Sequence, residues 1–535
     1  MKRSKVLIQT LLTGGLLFCT GCIDDKYDLS DIDTTTAIKL NDLTVPVKLD
    51  QITLDDVLDI DDEDNIIKVV SGPDGQYYAI EQSGFFSADP VYIPVLRANS
   101  EFTIPEKKFP VSSGNINNVT AEFSYLINDV HESLMSLDYF GLEEENPLVL
   151  NLSVSPATAV LTDVQLQIPE TFVAKYNGTT FTGGVIPVTI KNGELESPVY
   201  ITEMNFDPVL TPKTNEAGVR YLNIGGNIGI KSAKVAGASD LTLKFSMSSF
   251  TANVVTGSVD YEVEAPEIDP ISLDGLPDFL TEGDTNLVIE NPQIYLNFSE
   301  MNGANYKFSL LISPRGNDAS EIFINIDPFQ SAMVLAPDIN NLGLYGDYPG
   351  AETQPVPELR NILSGDGLPE SISFSLEETR LQGTVDNLEL GVDKTLAGNY
   401  SFFSPLAFGA GSRIIYSKIE DDFFGDDMED VEVSKFVVSA NVTTNLPFAV
   451  NLTLYPLDKA GNRLAESSAT VPANANNSPF KIEFLKKFNG LDGIEFIVTV
   501  DDMTGQSLTP SQYLKLDNIS ATVTGEYVTK FGNDD

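Results

Sequence analysis

Cysteine and histidine carry much of the nucleophilic, redox and metal chemistry of proteins, and this chain has very few of either: Cys19, Cys22 and His131 are the whole set. Both cysteines close one N-terminal segment. Lys2, Arg3 and Lys5 precede an apolar run from Val6 to Phe18, and Cys19-Thr20-Gly21-Cys22 follows. A basic start, a short apolar stretch and small residues before a cysteine read as a secretion signal. The Cys22 thiol is an atom to which a diacylglycerol can be joined. Residues 1–21 are therefore expected to be removed and Cys22 lipidated. With Cys19 gone, no second thiol remains, which excludes cysteine nucleophiles, thiolate metal sites and disulfides. One histidine cannot supply the two or three ligands of a zinc or iron site. His131 stands between Val130 and Glu132 with no G-x-S-x-G element in its vicinity, so no Ser–His–Asp set is expected.

Carboxylates are plentiful, with 78 Asp and Glu against 32 Lys and Arg. A glycoside-hydrolysing pair could hide among them, but no local pattern marks one. No catalytic residue is assigned, and a non-enzymatic role is expected. Two acidic clusters supply the oxygen ligands that a hard cation such as Ca2+ prefers. One is Asp59, Asp61, Asp62, Glu63 and Asp64; the other spans Asp421 to Asp430, around Phe423 and Phe424. Neither has EF-hand spacing, so solvated acidic loops are the competing reading. Calcium is the one cofactor entertained. Phe423 and Phe424 could fill a domain junction or present an aromatic contact to a partner. The chain has no Trp, so a sugar-stacking platform would fall to tyrosines. Tyr345 and Tyr348, in the Gly-rich stretch Leu342–Gly350, are the best placed by sequence, ahead of Tyr77, Tyr78 and Tyr416.

Loss of Lys2, Arg3 and Lys5 leaves 29 basic residues against 78 acidic ones, a net charge of −49. Such a field disfavours nucleic acid and anionic membrane surfaces. The apolar run of residues 6–18 is too short for the ~20 residues of a spanning helix.

These groups must be held by strands. Thirty Pro, thirty-nine Gly and runs rich in Val, Ile, Thr, Tyr and Phe point to strands joined by turns. The expected fold is all-β: serial antiparallel sandwich modules with a few short helices, preceded by signal and tether. The expected divisions are a signal peptide at 1–21, an acidic tether at 22–45 and an N-terminal β-rich module at 46–130. Sandwiches at 131–275, 276–430 and 431–535 follow. Short helices are expected at 53–60, 276–280 and 356–363, a hairpin around Gly72–Gly75, a turn at 458–462, and a bulge at Gly225-Gly226. Residues 131–140 fit a helix or a strand. A weak repeat recurs at Asn146-Pro147, Asn291-Pro292 and Asn445-Leu446-Pro447, at intervals of 145 and 154 residues. In each copy Pro opens an alternating strand, with Leu150 and Leu152, Leu296 and Phe298, or Val450 and Leu452 facing inward.

Phe18-Cys19-Thr20-Gly21-Cys22 resembles a bacterial lipobox, with Cys19 where a branched apolar residue is usual. Asp24 and Asp25 resemble the acidic export tag behind the lipid cysteine of Bacteroidota surface lipoproteins. Ser404-Pro405-Leu406-Ala407-Phe408 and the Asn445–Pro447 opening are also similar to uncharacterised members with tandem β-sandwich modules. The resemblance implies outer-membrane, lipid-anchored, surface-exposed placement. It implies no single activity: a binding or adhesin-like structural role, a glycan-binding accessory of a polysaccharide-uptake system, and a glycoside hydrolase all stay open. The expected partners are the outer membrane, through the anchor, and a glycan or surface protein.

Overall fold

The computed structural model describes residues 35–530, apart from 47–50, 59, 61–65, 73–74, 100–101, 105, 112–113, 282–284, 300–302, 344–347, 349, 421–430, 502 and 504. The fold is all-β, as expected, in several antiparallel sheets with three short helices among the described residues. The first helix, Leu54–Leu58, starts at a capping box: the Thr53 amide and hydroxyl donate to the Asp56 carboxylate, and the Asp56 amide donates back to Thr53 Oγ1. Those bonds hold the Asp56 carboxyl below its ordinary value. Asp278–Thr281 and the 3₁₀ helix Pro357–Leu363 each start at or just after a proline. Residues 134–142 form a strand, not a helix, paired on both sides with Val199–Leu210 and Phe250–Glu262.

Strand alternation builds the core. In Asn115–Asn128 the inward residues Ala121, Phe123, Tyr125 and Ile127 alternate with exposed neighbours. The alternation slips a step at Asn118, which takes a left-handed backbone, φ 51. Asp42, Asp163, Glu378, Asn387 and Asn518 do the same where the registers of their strands shift. Short polar side chains tolerate this conformation best, and each bulge turns the strand's apolar phase back toward the core. Gly225-Gly226 is not a bulge. Pairing with Asn115–Asn128 runs unbroken through both glycines, and a Cβ on Gly226 would meet Pro169 and the Phe123 ring.

Sheet pairing crosses the expected module boundaries. A five-stranded sheet runs in the order Thr35–Pro46, Tyr513–Lys530, Val431–Thr444, Ser478–Phe484, with Ile52–Thr53 beside Tyr513. The residues 35–46 expected as tether thus form an edge strand against the C-terminal strand. The strand pairs despite this solvated composition, with Leu40 packed against the core and Ile38 left half exposed. The 46–130 segment is likewise not a module of its own. Gly75–Ser87 pairs with Ala397–Pro405, Leu96–Ala98 with Phe250–Glu262, and Asn115–Asn128 with Arg220–Ala236. A sixteen-stranded sheet spans the expected 131–275 and 276–430 modules, joined where Phe250–Glu262 pairs with Ser371–Glu389. One continuous apolar core links these sheets.

The repeated asparagines act alike. Asn291 Oδ1 accepts from the Asp338 amide at 2.9 Å and its Nδ2 donates to the Asn341 carbonyl at 2.8 Å. Asn445 accepts from the Tyr513 amide at 2.9 Å and donates to the Ser511 carbonyl at 2.7 Å. Asn146 donates to Thr251 Oγ1 at 2.9 Å. Asn291 and Asn445 thus bracket a neighbouring backbone segment ahead of their strands, while Asn146 makes the single bond to Thr251.

Candidate functional site: the capped face of the six-stranded sheet

Of the two six-stranded sheets, the one that carries the site runs Glu352–Pro355, Ala332–Ala336, Gln293–Phe298, Ala397–Pro405, Gly75–Ser87, Ile67–Gly72. Glu352–Pro355 lies parallel to Ala332–Ala336. Parallel neighbours need a crossover, so the segment between them must pass over one face of the sheet. It passes over the outer face. There Tyr295, Val334, Phe403, Ala79 and Tyr348 form a second, smaller core with Leu342 and Tyr77 packed against it.

Polar side chains fix this crossover. Gln293 is 1% exposed; its Oε1 accepts from Tyr295 Oη at 2.7 Å and from the Gly343 amide at 2.9 Å, and its Nε2 donates to the Asn341 carbonyl at 3.0 Å. Tyr348 shares a 2.6 Å hydroxyl hydrogen bond with Ser401, and its ring lies 5.0 Å from that of Tyr295. Gly343 sits against the Phe403 ring, where no side chain fits. Tyr348 is therefore a buried clamp and not an exposed platform. A tyrosine in a Gly-rich loop reads as solvent-facing, but the crossover turns it onto the sheet. Tyr345, its expected companion, lies outside the described residues.

Apart from Tyr77, packed against this second core, the other sequence candidates fall away from this face or outside the description. Tyr78 is fully buried and donates to Asp55 Oδ1 at 2.6 Å; burial, that bond and the charges of Asp55 and Asp56 push its phenol well above the ordinary tyrosine range. Tyr416 packs edge-on against Phe279. His131 Nδ1 accepts from the Ser133 amide, and its carbonyl accepts from Arg220. Cys22, Asp24, Asp25, Asp59, Asp61, Asp62, Asp64, Phe423 and Phe424 lie outside the described residues. Among the described residues no group of three His, Cys, Asp or Glu is placed to hold a metal ion. A cavity of about 10 Å³ beside Val91, Tyr261 and Leu388 has room for one water at most.

Beyond Tyr348 the same outer face grows more exposed: Ser83, Phe85 and Ser87 are exposed, and Asn297 and Asn399 are half-buried. Register sets its rows: Asn297 beside Asn399 beside Phe85, and one row nearer the clamp Tyr295 beside Ser401 beside Ser83. On the far side the row is Ala397 beside Ser87. Phe85 is 84% exposed, while its neighbour Phe86 is 4% exposed and packs on Phe298. Asn399 Oδ1 is buried and, among the described residues, without a hydrogen-bond partner. The sequence held the signal for this site. Phe85-Phe86 within an alternating strand must send one ring to each face.

No protein-family model matches the chain, and no curated protein matches it. Among solved structures it is similar to a Parabacteroides distasonis ATCC 8503 protein described as a "putative secreted protein", at 16% identity and a TM-score of 0.36. That match covers 51% of this chain and 89% of the other. Fold and site together define an all-β protein of several sheets with one half-capped sheet face.

Proposed function

We propose that the chain is a lipid-anchored protein of the bacterial outer membrane, exposed at the cell surface, that works by binding and not by catalysis. The observation that carries the binding role is Phe85, a whole aromatic ring left in water on a sheet face whose other half is closed by the crossover. Single exposed apolar side chains are common on protein surfaces; Phe85 stands apart as the most exposed large apolar side chain among the described residues, on a face already half closed. The anchor rests on the Lys2–Cys22 signal, and Asp24 and Asp25 support surface export. Between Cys22 and the first strand at Thr35 stand 12 residues, a leash of at most ~40 Å when extended. Since Thr35–Pro46 pairs with Tyr513–Lys530, the leash would hold the C-terminal sheet nearest the bilayer. Two measurements test the reading. Protease treatment of intact cells should degrade the chain, and the purified full-length chain should release no reducing ends from polysaccharides. A protected chain contradicts surface exposure, and turnover contradicts the binding role.

A further inference from the structure

We propose that the outer sheet face around Phe85 is a binding subsite for a neutral hexose-based glycan, a proposal that rests on the binding role above. Its floor is flat. Phe85, Asn399 and Asn297 come from three adjacent strands, and strand spacing of ~4.8 Å sets one side chain per step. Ala397 and Ser87 on one side and Ser83 on the other are too small to rise beside the ring, so its face is open. The Tyr348 clamp, seated on Tyr295 and Ser401, forms the wall of the shelf.

This set matches a sugar. The C–H face of a pyranose lies flat on an aromatic ring, and its hydroxyls, each both donor and acceptor, need amides and hydroxyls around that ring. Asn399 lies one strand step from the ring, Asn297 two, and Ser83 one row away. Asn399 Oδ1 has no hydrogen-bond partner among the described residues, and a buried acceptor left unpaired costs free energy until one is found. A small turn of the amide on binding would give it one. A protein hot spot would have a contiguous apolar surround; here the ring's neighbours are hydroxyls, amides and one alanine. Charge selects among glycans. None of the residues in these rows is Lys or Arg, Glu81 stands in the next row beside Phe403, and the whole chain carries −46. An anionic polysaccharide would be repelled, and a neutral one would not.

The test is calorimetric titration of the full-length chain in detergent with neutral gluco-, manno- and galacto-oligosaccharides, alongside Phe85→Ala and Phe85→Tyr. At least one series should bind, Phe85→Ala should weaken it about tenfold, and Phe85→Tyr should retain it. Phe85 is exposed, so the melting temperature of both variants should match the parent and confirm folding. Binding by no series overturns the proposal and leaves the binding role to another ligand. Unchanged binding by Phe85→Ala keeps a glycan-binding protein but overturns this site. A dimer that Phe85→Ala splits in sedimentation would show a second copy on this face, and would also overturn it.

Discussion

Gly343→Ala probes the crossover that shapes the site. The glycine's φ lies outside the left-handed region, so the substitution is opposed by space alone. An added Cβ would stand 2.1 Å from Phe403 Cε1, 2.5 Å from Cζ and 2.9 Å from Cδ1. Carbon atoms in contact sit ~3.5–4.0 Å apart, so ring and backbone must separate by about 1.5 Å. Phe403 cannot retreat: it is 1% exposed and packed with Ala79, Tyr295 and Tyr348. The crossover must lift instead. That stretches the Gly343 amide to Gln293 bond and the Gln293 and Asn291 bonds to the Asn341 carbonyl. Overpacking of this kind costs about 1–3 kcal/mol. The cost falls on local opening, because the main core lies on the other face of the sheet. Hydrogen exchange followed by mass spectrometry should show protection across 338–343 falling about tenfold to a hundredfold, with strand Gln293–Phe298 little changed. Adding Phe403→Leu, which shortens the obstructing side chain, should restore part of the protection. Unchanged exchange in Gly343→Ala would refute the packing argument, and loss of protection throughout the protein would refute the claim that the second core is separable.

Three further outcomes follow from polar contacts at the edge of the core. Arg463 makes a two-pronged bond to Glu495, at 2.7 and 2.8 Å, and lies over the Tyr455 ring. The Glu495 side chain is 9% exposed and that of Arg463 50%. Arg463→Ala should cost about 1–2 kcal/mol in denaturant unfolding, less than a fully buried pair because half of the arginine is in water. The arginine bond holds the Glu495 carboxyl below its ordinary value, so its contribution is complete above about pH 4.5 and is lost as pH falls through the lowered folded value. Stability measured from pH 6 down to about pH 3 should show that acid-side loss in the parent and a shallower one in Glu495→Gln. Tyr78→Phe removes the bond that ties the Leu54–Leu58 helix to the six-stranded sheet. It should cost about 1–2 kcal/mol and raise exchange in residues 51–58, where an unchanged rate would contradict the tie.

Local features of this fold are legible in the sequence, and long-range ones are not. The helix start at Thr53, the hairpin Ile67–Gly72 to Gly75–Ser87 and the Asp458–Asn462 turn all form where the residues indicate. The Asn-Pro openings each lead into a strand, with Leu150, Leu296 and Val450 buried as alternation requires. Leu452 is half-buried and Asn297 is partly covered, since their faces border other segments. Alternation assigns faces but not partners. Nothing local in Thr35–Pro46 names Tyr513–Lys530, and nothing in Gly75–Ser87 names Ala397–Pro405, so serial modules were expected where the chain interleaves. The burial of Tyr348 depends on a parallel pair of strands, which composition cannot reveal. Phe85 was within reach, because two adjacent rings in one strand cannot share a face.

The anchor can be tested on its own. Cys22→Ala, expressed in a bacterium that lipidates its envelope proteins, should move from the membrane pellet to the soluble fraction after high-salt washing, with its melting temperature unchanged. If the variant stays in the washed pellet as the parent chain does, Cys22 does not carry the attachment and the account of an anchored binding protein is wrong.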